Sequence, residues 1–503
     1  MCILGSCFLA LLVLLGAGHS VASPTNGDKK NVMIILKDVQ SLLRVRAMCA
    51  YTTSGFKIKA ATLGMDDDCH MPHMCKRVYS KLFSGFSGSL DAQDLAKVQR
   101  CLPRAILYEE EDAKVQKLEG KHRSNPYWLG NTSTYGDGVS SFAGMSQQYY
   151  FKEDNPEIVQ GFDKGEKKHQ ELTLQWHLDR VDQRELPLDR QYKYDNSVST
   201  GKGVTIYVLD SGARMTHQEF SGRIRSGFDF IDDDESADDC DGHGTHVAAT
   251  AAGKGVGVAK DADIVAVRIL DCNGDGSVSD TVAALDWVAE HAKGPSVVVL
   301  SLGIEGPSSG SRILEEATRA LVRNYGITTV VASGTVSMLA IMIATNSVCY
   351  IYVTCAGNTQ QDACYVTPAN VPEVITVAAS DIPNKFDSNA TQEDVIYYWS
   401  NLGPCVDIFA AGVDVYSACG SEKRCNRLSD SAYTLATGTS MAAPSVAGVA
   451  AAYLEKHPHA APLEVMEVIT ESATPNAINE QYFPPALFLK GTPNKMLYIQ
   501  NDS

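Results

Sequence analysis

The sequence predicts an α/β protein: a large domain with a mostly parallel sheet from about residue 173 to the C-terminus, preceded by a small α/β unit over 31–114. Two observations carry this expectation. Short apolar runs recur at 204–209, 264–269, 296–301 and 374–378, the texture of strands buried on both faces. Helical patterns between them, at 280–292 and 312–323, supply the crossovers of βαβ units. The 503 residues, 44% apolar and 20% charged, exclude a disordered chain or a scaffold held by disulfides alone. A net charge of −17 offers no broad attraction to nucleic acid or to an anionic membrane.

Taken in order, residues 2–16 carry no charge and include Cys7-Phe-Leu-Ala-Leu-Leu-Val-Leu-Leu15, with small residues Ser20 and Ala22 following. This reads as a signal peptide over 1–22, hence a secreted protein with no stable membrane span, the apolar run being short of the ~20 residues a span needs. Its removal discards Cys2 and Cys7 and leaves an even number of cysteines, as oxidised pairs require. Sequons at Asn131, Asn389 and Asn501 permit glycosylation on that route. The 31–114 unit opens on the strand Val32-Met-Ile-Ile-Leu36, passes through Gly85-Phe-Ser-Gly-Ser-Leu90 to a helix after Asp91, and closes on the strand Ala105-Ile-Leu-Tyr108 and the acidic tail 109–112. Residues 115–172, polar and aperiodic with Asn-Pro pairs at 125–126 and 155–156, read as a linker or irregular activation segment.

Three motifs in the large domain carry chemistry. Asp210 ends the run Val204-Thr-Ile-Tyr-Val-Leu-Asp210, at the carboxyl edge where open α/β sheets bind their ligands. His243 lies in Asp241-Gly-His-Gly-Thr-His-Val247, where glycines leave room for an imidazole held by Asp210; His246 competes for the same role. A metal pair is the other reading of His-x-x-His, but the third ligand and the glutamate of a zinc hydrolase are missing from the motif. Ser440, in Gly438-Thr-Ser-Met-Ala-Ala-Pro444, sits where a glycine-bearing turn feeds a small-residue helix, and Pro444 is expected in that helix's first turn. Alone, Ser440 reads as an N-cap. The acidic run 232–239 reads as a solvated loop rather than a cation site.

Together these motifs resemble the subtilisin-like serine peptidases, whose triad runs Asp, His, Ser in chain order. The finer pattern, including Trp176-His-Leu-Asp-Arg-Val181, resembles the proteinase K branch, and the 31–114 unit resembles its inhibitor-type prodomain. The resemblance implies a subtilisin-like three-layer α/β/α sandwich over 173–503, after a ferredoxin-like prodomain. It further implies Asp210, His243 and Ser440 as the triad, Asn358 as oxyanion donor, Ser301, Leu302 and Gly303 as the edge that pairs with substrate, and Ala356 and Gly357 as part of the S1 wall. Disulfides Cys240–Cys272, Cys364–Cys405 and Cys419–Cys425 follow from it, with the four prodomain cysteines paired internally. A structural Ca2+ held by the Pro372 and Val374 carbonyls and the Asp407 carboxylate follows too, with no catalytic cofactor and a monomeric mature enzyme.

One segment departs from the family. Residues 334–355 interrupt a pattern that their excision restores, Val331-Ala-Ser333 followed by Ala356-Gly-Asn358. The insert is hydrophobic, unlike a surface loop, and reads as a translated intron or gene-model error; the alternative is a real insertion with Cys349 and Cys355 paired. The expected function is a secreted serine endopeptidase of broad specificity, acting on extended polypeptides with a preference for apolar or aromatic P1 side chains. It is made as an autoprocessed zymogen with its own prodomain as inhibitor. The alternative is a prodomain-inhibited or inactive secreted binding protein.

Overall fold

A computed structural model describes residues 29–49, 65, 69–72, 74–119, 174–192, 199–304, 310–334, 362–387, 389–425, 428–479 and 491–499. The chain divides into two compact units, one of residues 1–78 and 84–111, the other of 79–83 and 112–503.

The small unit is built on a four-stranded sheet in the order β2-β3-β1-β4, from β1 (Lys30–Leu36), β2 (Arg77–Tyr79), β3 (Gly85–Leu90) and β4 (Ile106–Glu111). Strand β1 is antiparallel to both neighbours, Ile34 facing Phe86 and Glu109. Helix α1 (Val39–Met48) starts at Asp38, whose carboxylate accepts the Ser41 amide. Helix α2 (Ala92–Cys101) starts with a capping box between Asp91 and Asp94. Ile34, Val45, Phe86 and Val98 fill the core, and Cys49–Cys75 and Cys69–Cys101 close it. The closing strand runs further than expected. Glu109 and Glu111 take the exposed positions of its alternation, so the acidic tail is mostly strand.

The second unit begins with β5 (Lys114–Lys117), so residues 115–117 are strand and not linker; residues 120–172 lie outside the described ones. After α3 (Trp176–Val181) the main sheet is laid down by β6 (Thr205–Asp210), β7 (Ile224–Asp229) and β8 (Asp263–Arg268). It continues with β10 (Ser296–Leu300), β12 (Thr328–Ala332), β13 (Ile375–Asp381), β14 (Val395–Ile396), β15 (Ile408–Ala411), β18 (Thr474–Pro475) and β19 (Lys495–Met496). The order is β18-β19-β15-β13-β12-β10-β6-β8-β7, with β14 on β13. All pairings from β7 to β19 along this path are parallel; β14 and β18 run antiparallel.

Helices α4 (His243–Ala252) and α7 (Thr439–Lys456) pack with one face of this sheet, against Ile206, Val208, Val297, Val299, Val330 and Val377. Alanines 248, 249, 442, 443 and 447 let backbones come close there. The alternate residues Leu209, Val298 and Leu300 are also fully buried, as a sheet covered on both faces requires. Helices α5 (Val278–His291) and α6 (Arg312–Tyr325) pack together, and α8 (Pro462–Ser472) lies against α7. The remaining short strands are β9 (Asp275–Ser277), β11 (Leu302–Gly303), β16 (Val415–Ala418) and β17 (Tyr433–Ala436). Among the described residues no helix is long and apolar enough to cross a membrane.

Candidate active site

Strand β6 ends on Asp210 and helix α4 begins on His243, which brings the two together. Nδ1 of His243 lies 2.7 Å from Oδ1 of Asp210, both side chains fully buried. Paired this way, Nδ1 carries the proton and Nε2 presents its lone pair; Nε2 has no hydrogen-bond partner among the described residues. Gly244 permits the approach, since a Cβ there would stand 2.2 Å from the Gly212 carbonyl oxygen. His246 drops out as a competitor: its Nε2 lies 2.9 Å from the Val415 carbonyl, and burial pushes its pKa down to about 3, keeping it neutral.

Asp239, at the end of the acidic run, was not among the expected site residues. Half-buried, it ties the His243 loop together: Oδ1 accepts from Ser211 Oγ (2.9 Å) and the amides of Asp241 (3.0 Å) and Gly242 (2.7 Å), and Oδ2 from the amide and hydroxyl of Thr245. Asp232 pairs with Arg268 at 2.6 Å. A charge run alone does not reveal which of its members turns inward.

Ser440 is the second residue of α7, behind Gly438 at φ 150°. An amide in a first turn has no acceptor within its helix, and that of Ser440 donates to the Leu118 carbonyl at 3.3 Å. The Ser440 hydroxyl donates to the Ser301 carbonyl at 2.8 Å, in place of the expected His243 contact. Pro444 is the sixth residue of α7, one turn deeper than expected. Lacking an N–H, it leaves the Ser440 carbonyl without its i→i−4 donor, and the Ser301 hydroxyl supplies one at 3.0 Å. Ser301 thus meets Ser440 through both its hydroxyl and its carbonyl.

The expected substrate edge is occupied. Strand β5 pairs antiparallel with β11, Leu302 opposite Lys117 and Gly303 opposite Gln116, and on its other side with β9, Val115 opposite Gly276. The Leu118 amide donates to the Ser301 carbonyl at 3.3 Å, and Glu119 bridges to Gly438. Val115 and Leu118 are fully buried. A Cβ on Gly303 would stand 3.2 Å from Leu118 Cδ1 and 3.0 Å from Val366 Cγ1, so the glycine leaves the space the leucine fills. Two apolar residues three apart were the only hint of this in a polar stretch.

Asn358, Ala356, Gly357 and residues 335–355 of the insert lie outside the described residues. Their flanks are close neighbours: the Asn401 amide donates to the Gly334 carbonyl, and Asp362 bridges to Leu402. Val374 and Asp407 directly precede the adjacent parallel strands β13 and β15, and Asp407 Oδ2 accepts the Thr376 amide at 2.8 Å. Burial pushes the Asp407 carboxyl up to about 6. Bonds Cys240–Cys272, Cys364–Cys405 and Cys419–Cys425 form as the resemblance implied.

The profile of the subtilase family (Peptidase_S8) matches residues 201–485, spanning Asp210, His243 and Ser440. The chain belongs to the subtilase family. Among curated subtilases and their kin it is 39% identical over 328 residues to the alkaline serine exoprotease A of Vibrio alginolyticus, covering 65% of this chain and 51% of that protein. It is 41% identical over 315 residues to the extracellular serine proteinase of Thermus sp. (strain Rt41A), covering 62% and 65%. The crystal structure of a cold-adapted subtilisin-like serine proteinase matches with a TM-score of 0.52 and 38% identity, covering 65% of this chain and 98% of that one. The match thus spans about half to two thirds of the length of these curated relatives.

Proposed function

We propose that this subtilase is a secreted serine endopeptidase of the proteinase K branch, made as a zymogen that cuts its own chain between Leu118 and Glu119. One observation carries the reading: the Leu118 carbonyl accepts the Ser440 amide at 3.3 Å while the residues before it pair as a strand with β11. That is the posture of a peptide offered for acyl transfer.

Rotation about the Ser440 Cα–Cβ bond swings Oγ from the Ser301 carbonyl toward His243 Nε2. Oγ attacks the Leu118 carbonyl carbon as Nε2 takes its proton, and Asp210 stabilises the imidazolium through Nδ1. The oxyanion forms on Leu118 O, facing the Ser440 N–H and, as the resemblance implies, the Asn358 side chain. The imidazolium then protonates the Glu119 nitrogen, which leaves; water deprotonated by His243 hydrolyses the ester and leaves the Leu118 carboxylate. Buried Leu118 and Val115 favour apolar residues at P1 and P4 of other substrates. The small unit's β2-β3-β1-β4 order supports a ferredoxin-like, inhibitor-type prodomain over 31–114, extended through Leu118.

A structural Ca2+ fits the residues present. Asp407 bears a carboxylate whose burial a cation would offset, and the Pro372 and Val374 carbonyls would complete an oxygen set. Among the described residues no three His, Cys, Asp or Glu side chains cluster as metal ligands, so backbone oxygens would dominate. The ion would bind the turn before β13 to the start of β15.

The occupied edge also favours a second reading, a secreted binding protein whose tail never leaves the groove. Expression of the full chain beside Ser440→Ala separates the two. The endopeptidase yields a new N-terminus at Glu119 only with Ser440 present, and a fluorophosphonate adduct on Ser440. A wild-type chain left uncut and unlabelled would establish the binding protein instead.

A further inference from the structure

Four charged side chains surround the Leu118–Glu119 bond, and neither the triad nor the oxyanion site uses them. Lys117 Nζ lies 2.9 and 2.7 Å from the two carboxylate oxygens of Asp241. Glu119 receives both terminal nitrogens of Arg424, at 2.5 Å to Oε1 and 2.6 Å to Oε2. Arg424 also reaches Asp241, through Nη2 to Oδ1 at 2.8 Å and through Nε to the main-chain oxygen at 3.0 Å. Side-chain exposures are 21% for Lys117, 18% for Glu119, 13% for Arg424 and 5% for Asp241. These pairs are shielded enough for charge to matter, unlike solvated surface pairs.

Both receptors are held from behind. The Asp241 carboxylate accepts the His243 amide at 3.2 Å, and its main-chain oxygen accepts the Ser421 hydroxyl. Arg424 rides on the loop closed by Cys419–Cys425. It crosses Gly242, where a Cβ would stand 2.7 Å from Arg424 Cδ. That glycine therefore serves the arginine as well as the histidine turn.

We propose that this subtilase selects a charge pattern across the scissile bond: Asp241 takes a cationic side chain at P2 and Arg424 a carboxylate at P1′, so Lys-Leu-Glu is read as a unit. The inference rests on the reading of residues 114–119 as a substrate. Without a peptide, Asp241 and Arg424 neutralise one another, so the groove carries no net attraction. The reversed pattern, an acid at P2 and a cation at P1′, sets like charges together on both sides of the bond and is rejected.

The test uses self-cleavage of the full chain, followed by pulse-chase and N-terminal sequencing. Glu119→Lys and Lys117→Glu should each slow cleavage by about tenfold or more. Arg424→Glu alone should also slow it, by crowding its new carboxylate against Glu119 and Asp241. Combined with Glu119→Lys, it should recover most of the lost rate, which a merely structural arginine would not allow. Equal rates for wild type and Glu119→Lys, or no recovery in the double variant, would overturn the charge selection while leaving the peptidase intact. No wild-type cleavage at 118–119, with Ser440 refusing fluorophosphonate, would overturn the peptidase reading and the subsites with it. A parallel panel of peptides with Lys-Leu-Glu, Ala-Leu-Ala and Glu-Leu-Lys should rank in that order, and a flat ranking counts against the proposal even if a variant misfolds.

Discussion

Replacing Ser301 by alanine should destabilise the protein through one orphaned carbonyl, and the effect should vanish when Pro444 is also replaced. The Ser301 hydroxyl is fully buried and donates to the Ser440 carbonyl at 3.0 Å, standing in for the N–H that Pro444 lacks. An unsatisfied buried carbonyl costs about 1–3 kcal/mol, which for a domain of this size lowers the unfolding midpoint by about 2–6 °C. Alanine at 444 restores a backbone N–H aimed at the same carbonyl, so Ser301→Ala should cost little in that background, a coupling of about 1–3 kcal/mol. The cycle is best measured by thermal unfolding in the Ser440→Ala background, where self-cleavage is absent. The Leu118 amide keeps its bond to the Ser301 carbonyl in all four chains, and the Ser440 hydroxyl bond to that carbonyl is absent from all four alike, so neither contributes to the difference. Equal costs of Ser301→Ala in both backgrounds would refute the argument that the hydroxyl compensates the proline.

Three further outcomes are expected. Asp210→Asn should leave the fold intact but lower turnover of added peptide by about 10⁴-fold at neutral pH, because the amide holds the wrong imidazole tautomer, as in chymotrypsin-type triads; steady-state kinetics with an active-site titrant check it. Burial disfavours the Glu119 carboxylate, yet the Arg424 guanidinium overrides it and holds the carboxyl at about 2, below its ordinary 4.5. Its folded pKa is thus depressed, so a contribution of about 3 kcal/mol is present above pH ~4.5 and lost as pH falls through ~2. Glu119→Gln in the uncut Ser440→Ala protein should therefore unfold earlier than its parent at pH 5 and together with it near pH 2. Chelation with EGTA should lower the unfolding midpoint, Ca2+ should restore it, and Asp407→Asn should abolish the difference.

Much of the fold was legible along the chain because strands buried on both faces announce themselves as apolar runs. Segments 204–209, 264–269 and 296–301 became β6, β8 and β10 within a residue at either end. The Asp210 and His243 motifs were readable too, since a strand end and a glycine-flanked helix start each constrain their own backbone. What escaped were features whose reason lies in a distant partner. Residues 114–119 look like linker until β11 and β9 supply an edge on either side. Pro444 looks like a first-turn residue until Ser301 answers the carbonyl it leaves open.

By itself the sequence determined the α/β class, the order Asp210, His243, Ser440 and the small residues that let α4 and α7 pack closely. All of these depend on local backbone needs and on hydrophobic periodicity, which each segment carries alone. Only the tertiary structure decided that Asp239 turns inward, that His246 is spent on Val415, and that Lys117 and Glu119 meet Asp241 and Arg424. The physical reason is that hydrogen bonds and ion pairs are short-ranged and directional. A charged residue's role is set by which group the fold brings within about 3 Å of it, and residues 117 and 241 stand 124 positions apart in the chain.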